Sequence, residues 1–183
     1  GWTRYDPAGW SLGVTGGRVF RARDLGQFTP GSGLDGRSSD WLVSAQLRTD
    51  GGLSVQNRVL FDNGFDVSRN ELNFGLVRDR YSVDAGYLWM VADPAEGRPT
   101  ATSELVLDAG WDMANNWRGQ LAGRYDFNLQ RAARAEIGLS YRSECAVVAL
   151  SLSRRFTSST SVAASTDFNL SVSLVGFGAG TGG

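Results

Sequence analysis

The stretch from Cys145 to Phe177 contains two segments in which apolar residues alternate with small or polar ones. Every second residue is apolar in each segment: Ala146, Val148, Leu150 and Leu152 in the first, and Phe168, Leu170, Val172 and Leu174 in the second. Successive side chains of an extended strand point to opposite sides, so each series shares one face. The stretch therefore predicts a β-hairpin with one apolar face.

The same alternation recurs through most of the chain and predicts about ten strands. They are expected at about 10–22, 40–49, 53–62, 67–78, 81–91, 102–113, 117–127, 131–141, 145–155 and 167–176. Residues 1–8 are interpreted as the tail of an earlier segment broken at Pro7, and the pair Gly16 and Gly17 suggests a bulge. Connections as short as Asp50–Gly52 cannot carry a parallel crossover, so we expect an antiparallel, up-and-down sheet.

A soluble β-sandwich also has one apolar and one polar face, so alternation alone leaves that alternative open. Three features favour a transmembrane β-barrel. The segments are long enough to cross a bilayer, and short turns at one end alternate with longer connections at the other. Aromatic residues also end the apolar rows, as in the girdles of outer-membrane barrels. These residues are Trp41, Phe61, Tyr81, Trp89, Trp111, Trp117, Phe127, Tyr141 and Phe168.

Composition excludes several kinds of chemistry. The chain has no His, and all 18 of its basic residues are Arg. A Ser-His-Asp triad, a His base and a Lys Schiff base are therefore excluded within this polypeptide, and a single Cys leaves no zinc site. The net charge of −1 provides no field that would attract nucleic acid. We expect no catalytic residue, metal or cofactor.

Two glycine motifs match functional patterns in their sequence. Gly9–Gly13 matches a hydrolase nucleophile elbow, and Gly31–Gly36 matches a dinucleotide fingerprint. Because the chain has no His, the first match is expected to be chance. Because no helix follows the second, an external glycine loop is expected there.

The chain begins at Gly1 with neither Met nor a signal-peptide pattern, which indicates a mature protein or, as we favour, a fragment of a longer one.

Two sets of residues are candidates for function. The first consists of mid-strand charges expected on the polar face: Arg58, Arg69, Glu71, Asp84, Asp108, Arg124 and Glu136. They either line a transport path or form cross-strand pairs in a wet interior, and the sequence leaves both readings open. The second is Cys145, which is either a small buried residue or half of a disulfide to something outside this chain.

Several motifs carry a family resemblance. They are YRSEC at Tyr141–Cys145, SLSRRFTSST at Ser151–Thr160, STDF at Ser165–Phe168 and LSVSL at Leu170–Leu174, with SSDWLV at Ser38–Val43, ADPAE at Ala92–Glu96 and RYDF at Arg124–Phe127 upstream. Together they resemble the lipopolysaccharide-assembly outer-membrane proteins of the LptD family, in an alphaproteobacterial version. The resemblance covers most of the chain and is most specific from Tyr141 onward.

The resemblance implies that residues 1–183 are a single region, the C-terminal part of a larger outer-membrane barrel with its C-terminus in the periplasm. It implies a non-enzymatic component that inserts lipopolysaccharide into the outer leaflet of a Gram-negative outer membrane through a lateral seam. The implied partners are lipopolysaccharide, outer-membrane lipids, the lipoprotein plug LptE and the periplasmic bridge LptA. A complete small barrel acting as a porin, adhesin or structural protein is the alternative, and an outer-membrane enzyme ranks third.

The resemblance also assigns roles to residues. Cys145 matches a family cysteine bridged to a periplasmic domain that is missing here, and Glu144 stands where some relatives have a second cysteine. Strand 167–176 matches the last strand, which forms one lip of the exit seam. The residues matched there are Asp167, Phe168, Leu170, Ser171, Val172, Ser173, Leu174 and Gly176.

Overall fold

The computed structural model describes residues 1–156 and 164–175. Within them a single antiparallel sheet contains 11 strands, and each strand pairs with its neighbours in sequence. The strands are β1 Trp2–Asp6, β2 Trp10–Gly17, β3 Trp41–Thr49, β4 Leu53–Phe61, β5 Val67–Val77, β6 Tyr81–Met90, β7 Thr102–Asp112, β8 Trp117–Asp126, β9 Arg131–Arg142, β10 Ala146–Arg155 and β11 Ser165–Leu174. Short 3-10 helices lie at Pro30–Ser32 and Pro94–Glu96. No helix among the described residues is long and apolar enough to span a membrane.

The register of the ladder confirms the predicted alternation. In the middle of the sheet Leu107 of β7 is opposite Ala85 of β6, and the next residue, Asp108, is opposite Asp84. The two residues of each pair lie on the same face, so apolar partners gather on one side and charged partners on the other. The fold is therefore the all-β, antiparallel, up-and-down arrangement that the sequence predicts.

The sheet has no hydrophobic core of its own. Among the described residues no hydrophobic side chain is buried, and Ile137, near the middle of β9, is 54% exposed. A β-sandwich would seal such residues between two sheets, but all the strands here belong to one. The sandwich alternative is therefore wrong. A bare apolar face of this size requires an apolar medium outside the protein, as the hydrocarbon region of a bilayer provides.

Aromatic side chains border this apolar face at both ends, as predicted. Trp41 and Phe61 are cross-strand partners at one end. At the other end Tyr81 is opposite Trp111, and Trp117 packs on Tyr141 with ring centroids 5.1 Å apart. At the same end as Trp41, the ring of Phe127 makes edge-to-face contacts with Tyr125 and Tyr87, with ring centroids 5.0 and 6.0 Å apart. Amphipathic rings at two levels are typical of membrane–water interfaces.

Two amides interrupt the apolar face and satisfy each other. Asn57 in β4 and Asn70 in β5 lie among the apolar residues of their strands. The amide nitrogen of Asn57 donates to Asn70 Oδ1 at 2.7 Å and to the carbonyl oxygen of Glu71 at 3.2 Å. Polar groups in lipid must find partners within the protein, so this pairing lowers the cost of placing two amides there.

The connections differ between the two ends of the sheet. Five short turns lie at one end, at 7–9, 50–52, 78–80, 113–116 and 143–145. The longer connections at 18–40 and 91–101 lie at the opposite end, together with the shorter ones at 62–66 and 127–130. In the turn before β8, Asn115 and Asn116 both adopt left-handed conformations, with φ of 61° and 65°. Paired left-handed residues suit the strand twist of a tight hairpin.

The N-terminal residues contain a strand that the alternation did not predict. Residues 2–6 form β1, which pairs with β2 from Trp2 opposite Val14 to Asp6 opposite Trp10. Pro7 lies in the turn between them, where Asp6 Oδ1 accepts the N–H of Ala8 at 3.0 Å. A proline is well tolerated in a turn because its φ is already fixed there. The described sheet therefore has 11 strands instead of about ten.

The second strand also ends earlier than predicted. It stops at Gly17 rather than near residue 22, because the backbone N–H of Val19 bonds to the Ser39 hydroxyl at 2.8 Å instead of to a ladder carbonyl. The pairing with β3 runs through Gly16 and Gly17 without the expected bulge. Register shifts occur instead at Leu60/Phe61 and at Arg124/Tyr125.

An arginine on the apolar face should destabilise the membrane-inserted protein far more than one on the polar face. We expect Ile137→Arg in the intact protein to cost about 2–4 kcal/mol, the range for an arginine at the bilayer midplane of a membrane β-barrel. The matched control is Ser151→Arg, at the middle of the next strand on the polar face. Denaturant unfolding in lipid vesicles measures both free energies. Equal costs would contradict the assignment of the faces.

Candidate functional site

The polar face of the sheet is concave. One hollow of about 500 Å³ is lined mainly by Asp108, Arg124, Arg134, Glu136 and neighbouring residues of β7 to β10. A second hollow lies beside it over β5 to β7, where Glu71 and Asp84 contribute to the lining. Both hollows lie on the charged side of the sheet, and we call this side the concave face and the opposite, apolar side the convex face.

Three of the predicted charges meet across two strands. Glu71 of β5 is opposite Arg58 of β4, and their side chains form an ion pair at 3.5 Å. Arg69, two residues before Glu71 in the same strand, forms a second ion pair with it. One carboxylate thus holds two guanidinium groups, which stay 44–49% exposed. Exposed pairs of this kind contribute only about 0–1 kcal/mol each.

The other predicted charges spread over β6 to β9. Glu136 forms an ion pair with Arg134 at 2.6 Å, and Arg124 approaches Glu104 of β7 at 3.9 Å. Asp84 and Asp108 are direct cross-strand partners. Neither of these aspartates has an arginine within 4.0 Å among the described residues. Like charges opposite each other repel, so this part of the face favours water over burial.

Some members of the charged surface were not selected from the sequence. Glu104, Arg134 and the pair Asp112–Arg118, at 2.8 Å, belong to the same face. Their alternate positions in the strands indicate that they lie on the polar face. Which of them form ion pairs depends on the register between neighbouring strands. No group of three or more potential metal-binding side chains occurs within residues 1–156 and 164–175. The arrangement forms a wet, charged surface of both signs.

The predicted cysteine and last strand lie at two positions on the sheet boundary. Cys145 is exposed, and its thiol is free within the described chain; it lies in the turn between β9 and β10, at the end with the short turns. The last strand is β11, which pairs with β10 alone in the described part of the sheet. It contains Asp167, Phe168, Leu170, Ser171, Val172, Ser173 and Leu174. Gly176 and Phe177 lie outside the described residues.

A contact between two long connections was not foreseen. Thr29, before β3, places its hydroxyl 2.8 Å from Asp93 Oδ2 and 2.9 Å from Glu96 Oε1, both in the connection between β6 and β7. Asp93 is only 4% exposed, and an added Cβ at Gly31 would collide with its carboxylate. Arg98 completes the cluster through an ion pair with Glu96 at 2.8 Å. We call these five residues the loop clasp.

The clasp stabilises its carboxylates in the charged form. The hydrogen bond from Thr29 is the main cause that lowers the pKa of Asp93 below its ordinary value, against an opposing effect of burial. For Glu96 the main cause is the hydrogen bond from Arg98, followed by that from Thr29, and the pKa is again lowered. Because residues 29 and 93 are 64 positions apart, sequence periodicity contains no signal for this contact.

An antiparallel, up-and-down sheet with a bare convex apolar face, aromatic borders and a concave charged face defines a portion of an outer-membrane β-barrel wall. A comparison with family models identifies the family. The model described as "LptD: LPS transport system D" matches residues 2–117 and 93–179, so the chain belongs to the LptD family. No curated protein matches the chain significantly. The family places the protein in lipopolysaccharide transport and assembly at the outer membrane, and it is not a family of enzymes.

The clasp should open in acid. Lowered carboxyl pKa values mean that its stabilisation is present at neutral pH and is lost as the pH falls through the folded-state pKa values of Asp93 and Glu96. Thr29→Val, which removes the hydroxyl, should produce the open state at neutral pH. We expect roughly fivefold faster protease cleavage within 21–36. The control is Thr15→Val, at an exposed position of β2. Unchanged cleavage of the Thr29 variant would contradict the clasp.

Proposed function

We propose that the chain is one side of a large barrel that inserts lipopolysaccharide into the outer leaflet, and that β11 forms one lip of a lateral exit seam. The observation that carries this proposal is the division of the sheet into a bare apolar face and a charged face, in a chain that belongs to the LptD family. An amphiphile leaving such a barrel needs a charged path beside its sugars and phosphates and an apolar exit for its acyl chains. The concave face and the strand edge supply these two surfaces.

The side chains of β11 are suited to a wall that opens. Phe168 and Leu170 are 67% and 60% exposed, because β11 has one neighbouring strand in the described sheet, whereas Leu139, between two strands, is 38% exposed. On the polar face Ser171 is opposite Ala149, so two small residues make the cross-strand contact. A weakly paired junction is where a barrel wall can part without leaving many backbone groups unpaired in lipid.

The connections support an assignment of the two ends of the sheet to the two sides of the membrane. We place the short turns and the C-terminus in the periplasm and the long connections, including the loop clasp, outside, because short periplasmic turns are usual in outer-membrane barrels. The concave face would then enclose the lipoprotein LptE, and LptA would deliver lipid from the periplasm. The charges on this face, including Arg58, Asp84, Asp108 and Arg124, would line the hydrated interior.

Locking the proposed seam should stop export. Ser171→Cys in β11, paired with a cysteine in the strand that closes against it in the intact protein, should block the arrival of lipopolysaccharide at the cell surface when oxidised. Reduction should restore it. The control joins β11 to β10 through Ser171→Cys and Ala149→Cys, which are already cross-strand partners. Export that continues through an oxidised seam would refute the lateral exit.

We also propose that Cys145 forms a disulfide with a periplasmic part of the intact protein. Its exposed position in a turn at the proposed periplasmic end supports this pairing. Non-reducing electrophoresis of the intact protein should show a faster-migrating form that Cys145→Ser abolishes. The control is Ser143→Ala, in the same turn. Identical mobility of the native protein and Cys145→Ser would contradict the disulfide.

A further inference from the structure

Arg18 occupies an unusual position at the end of the apolar face. It follows directly after β2, whose last apolar-face residue, Gly16, is opposite Val43 of β3. The residue beside Arg18 on this face is Trp41, which begins β3 at the end of the sheet with the long connections. A cation therefore lies at the border of the convex, apolar face.

Aromatic rings and an amide hold the guanidinium in place. Its central carbon lies 5.2 Å from the ring centroids of both Phe20 and Trp41. Nη2 donates to Asn63 Oδ1, in the connection between β4 and β5, at 2.9 Å. Cation–π contacts and a hydrogen bond from a neighbouring connection orient the planar group, so a partner meets it with less loss of conformational freedom.

The charge of Arg18 is not neutralised by a carboxylate. Seven ion-paired arginines occur in the described chain, but Arg18 is not among them. Its Nε is buried, but Nη1 and the second N–H of Nη2 have no hydrogen-bond acceptor among residues 1–156 and 164–175. An oriented guanidinium with free donors matches the oxygen atoms of a phosphate group, which it can bind through two parallel hydrogen bonds.

We propose that Arg18, Phe20, Trp41 and Asn63 form a binding site for the phosphate group of a lipid headgroup in the outer leaflet. The surrounding side chains favour a lipid over free phosphate, because Phe20, whose ring contacts the cation, is 75% exposed. Apolar side chains at this level contact the upper part of acyl chains, while the arginine reaches the headgroup. The site rests on the proposed membrane orientation but is distinct from the concave transport surface.

The test compares two probes that differ only in phosphate. The intact protein in detergent is mixed with lipid A and with dephosphorylated lipid A, and the lipid retained is counted by native mass spectrometry. We expect the native protein to prefer the phosphorylated form and Arg18→Gln to lower its retention about tenfold, the effect of losing a charge-assisted hydrogen bond. Retention by Arg18→Lys should lie between that of the native protein and that of Arg18→Gln, because lysine keeps the charge but lacks the planar arrangement of donors.

The matched control is Arg80→Gln, which removes the same charge from the exposed turn between β5 and β6, at the opposite end of the sheet. It should leave retention unchanged. Asn63→Ala removes the hydrogen bond that orients the guanidinium but keeps the charge. We expect it to lower lipid A retention by less than Arg18→Gln does. It serves as the second variant if Arg18→Gln folds poorly.

The outcomes separate this site from the proposed function. Native retention by Arg18→Gln, equal loss in Arg80→Gln, or full displacement of lipid A by inorganic phosphate would each overturn the lipid site. Those results would leave export through the barrel intact. Failure of the native protein to associate with either lipid or to insert into vesicles would instead overturn the membrane account on which both proposals rest.

Discussion

The structure depends on the burial of one apolar sheet face by something other than the protein. The strands β2 to β10 pair with a neighbour on both sides, but no described hydrophobic side chain is buried. A folded state of this kind would expose far more apolar surface to water than a soluble protein tolerates. Lipid removes that cost, and the same medium explains why these strands pair on both sides and why Asn57 and Asn70 bond to each other.

The opposite face explains how such a wall could serve transport. Its ion pairs are half exposed and individually weak, so the concave surface keeps its water and offers charges of both signs to sugars and phosphates. No side chain needs to perform chemistry for this role. What matters is that Glu71 and its neighbours lie on a different side of the sheet from the apolar residues that border lipid.

The alternation of residues was enough to predict most of the strands, their faces and the aromatic borders. With a side-chain period of two, a shift of one residue would move every apolar side chain to the other face, so the pattern fixes the orientation of each strand. It missed β1, because Arg4 and Asp6 interrupt the apolar series that Trp2 begins. The ion pairs of Glu71 needed the register between strands, which composition does not encode. The contacts of Thr29 and Arg18 join connections distant in sequence, and no local pattern signals them.

Cysteine accessibility along β7 tests the division of the faces most directly. Single cysteines at 105, 106, 107, 108 and 109 of the intact protein, with Cys145 replaced by Ser, are treated with a water-soluble maleimide in outer-membrane vesicles made permeable to it. Our account predicts that positions 106 and 108 react, while 105, 107 and 109 stay protected by lipid. Reaction at all five positions, or with the opposite alternation, would contradict it.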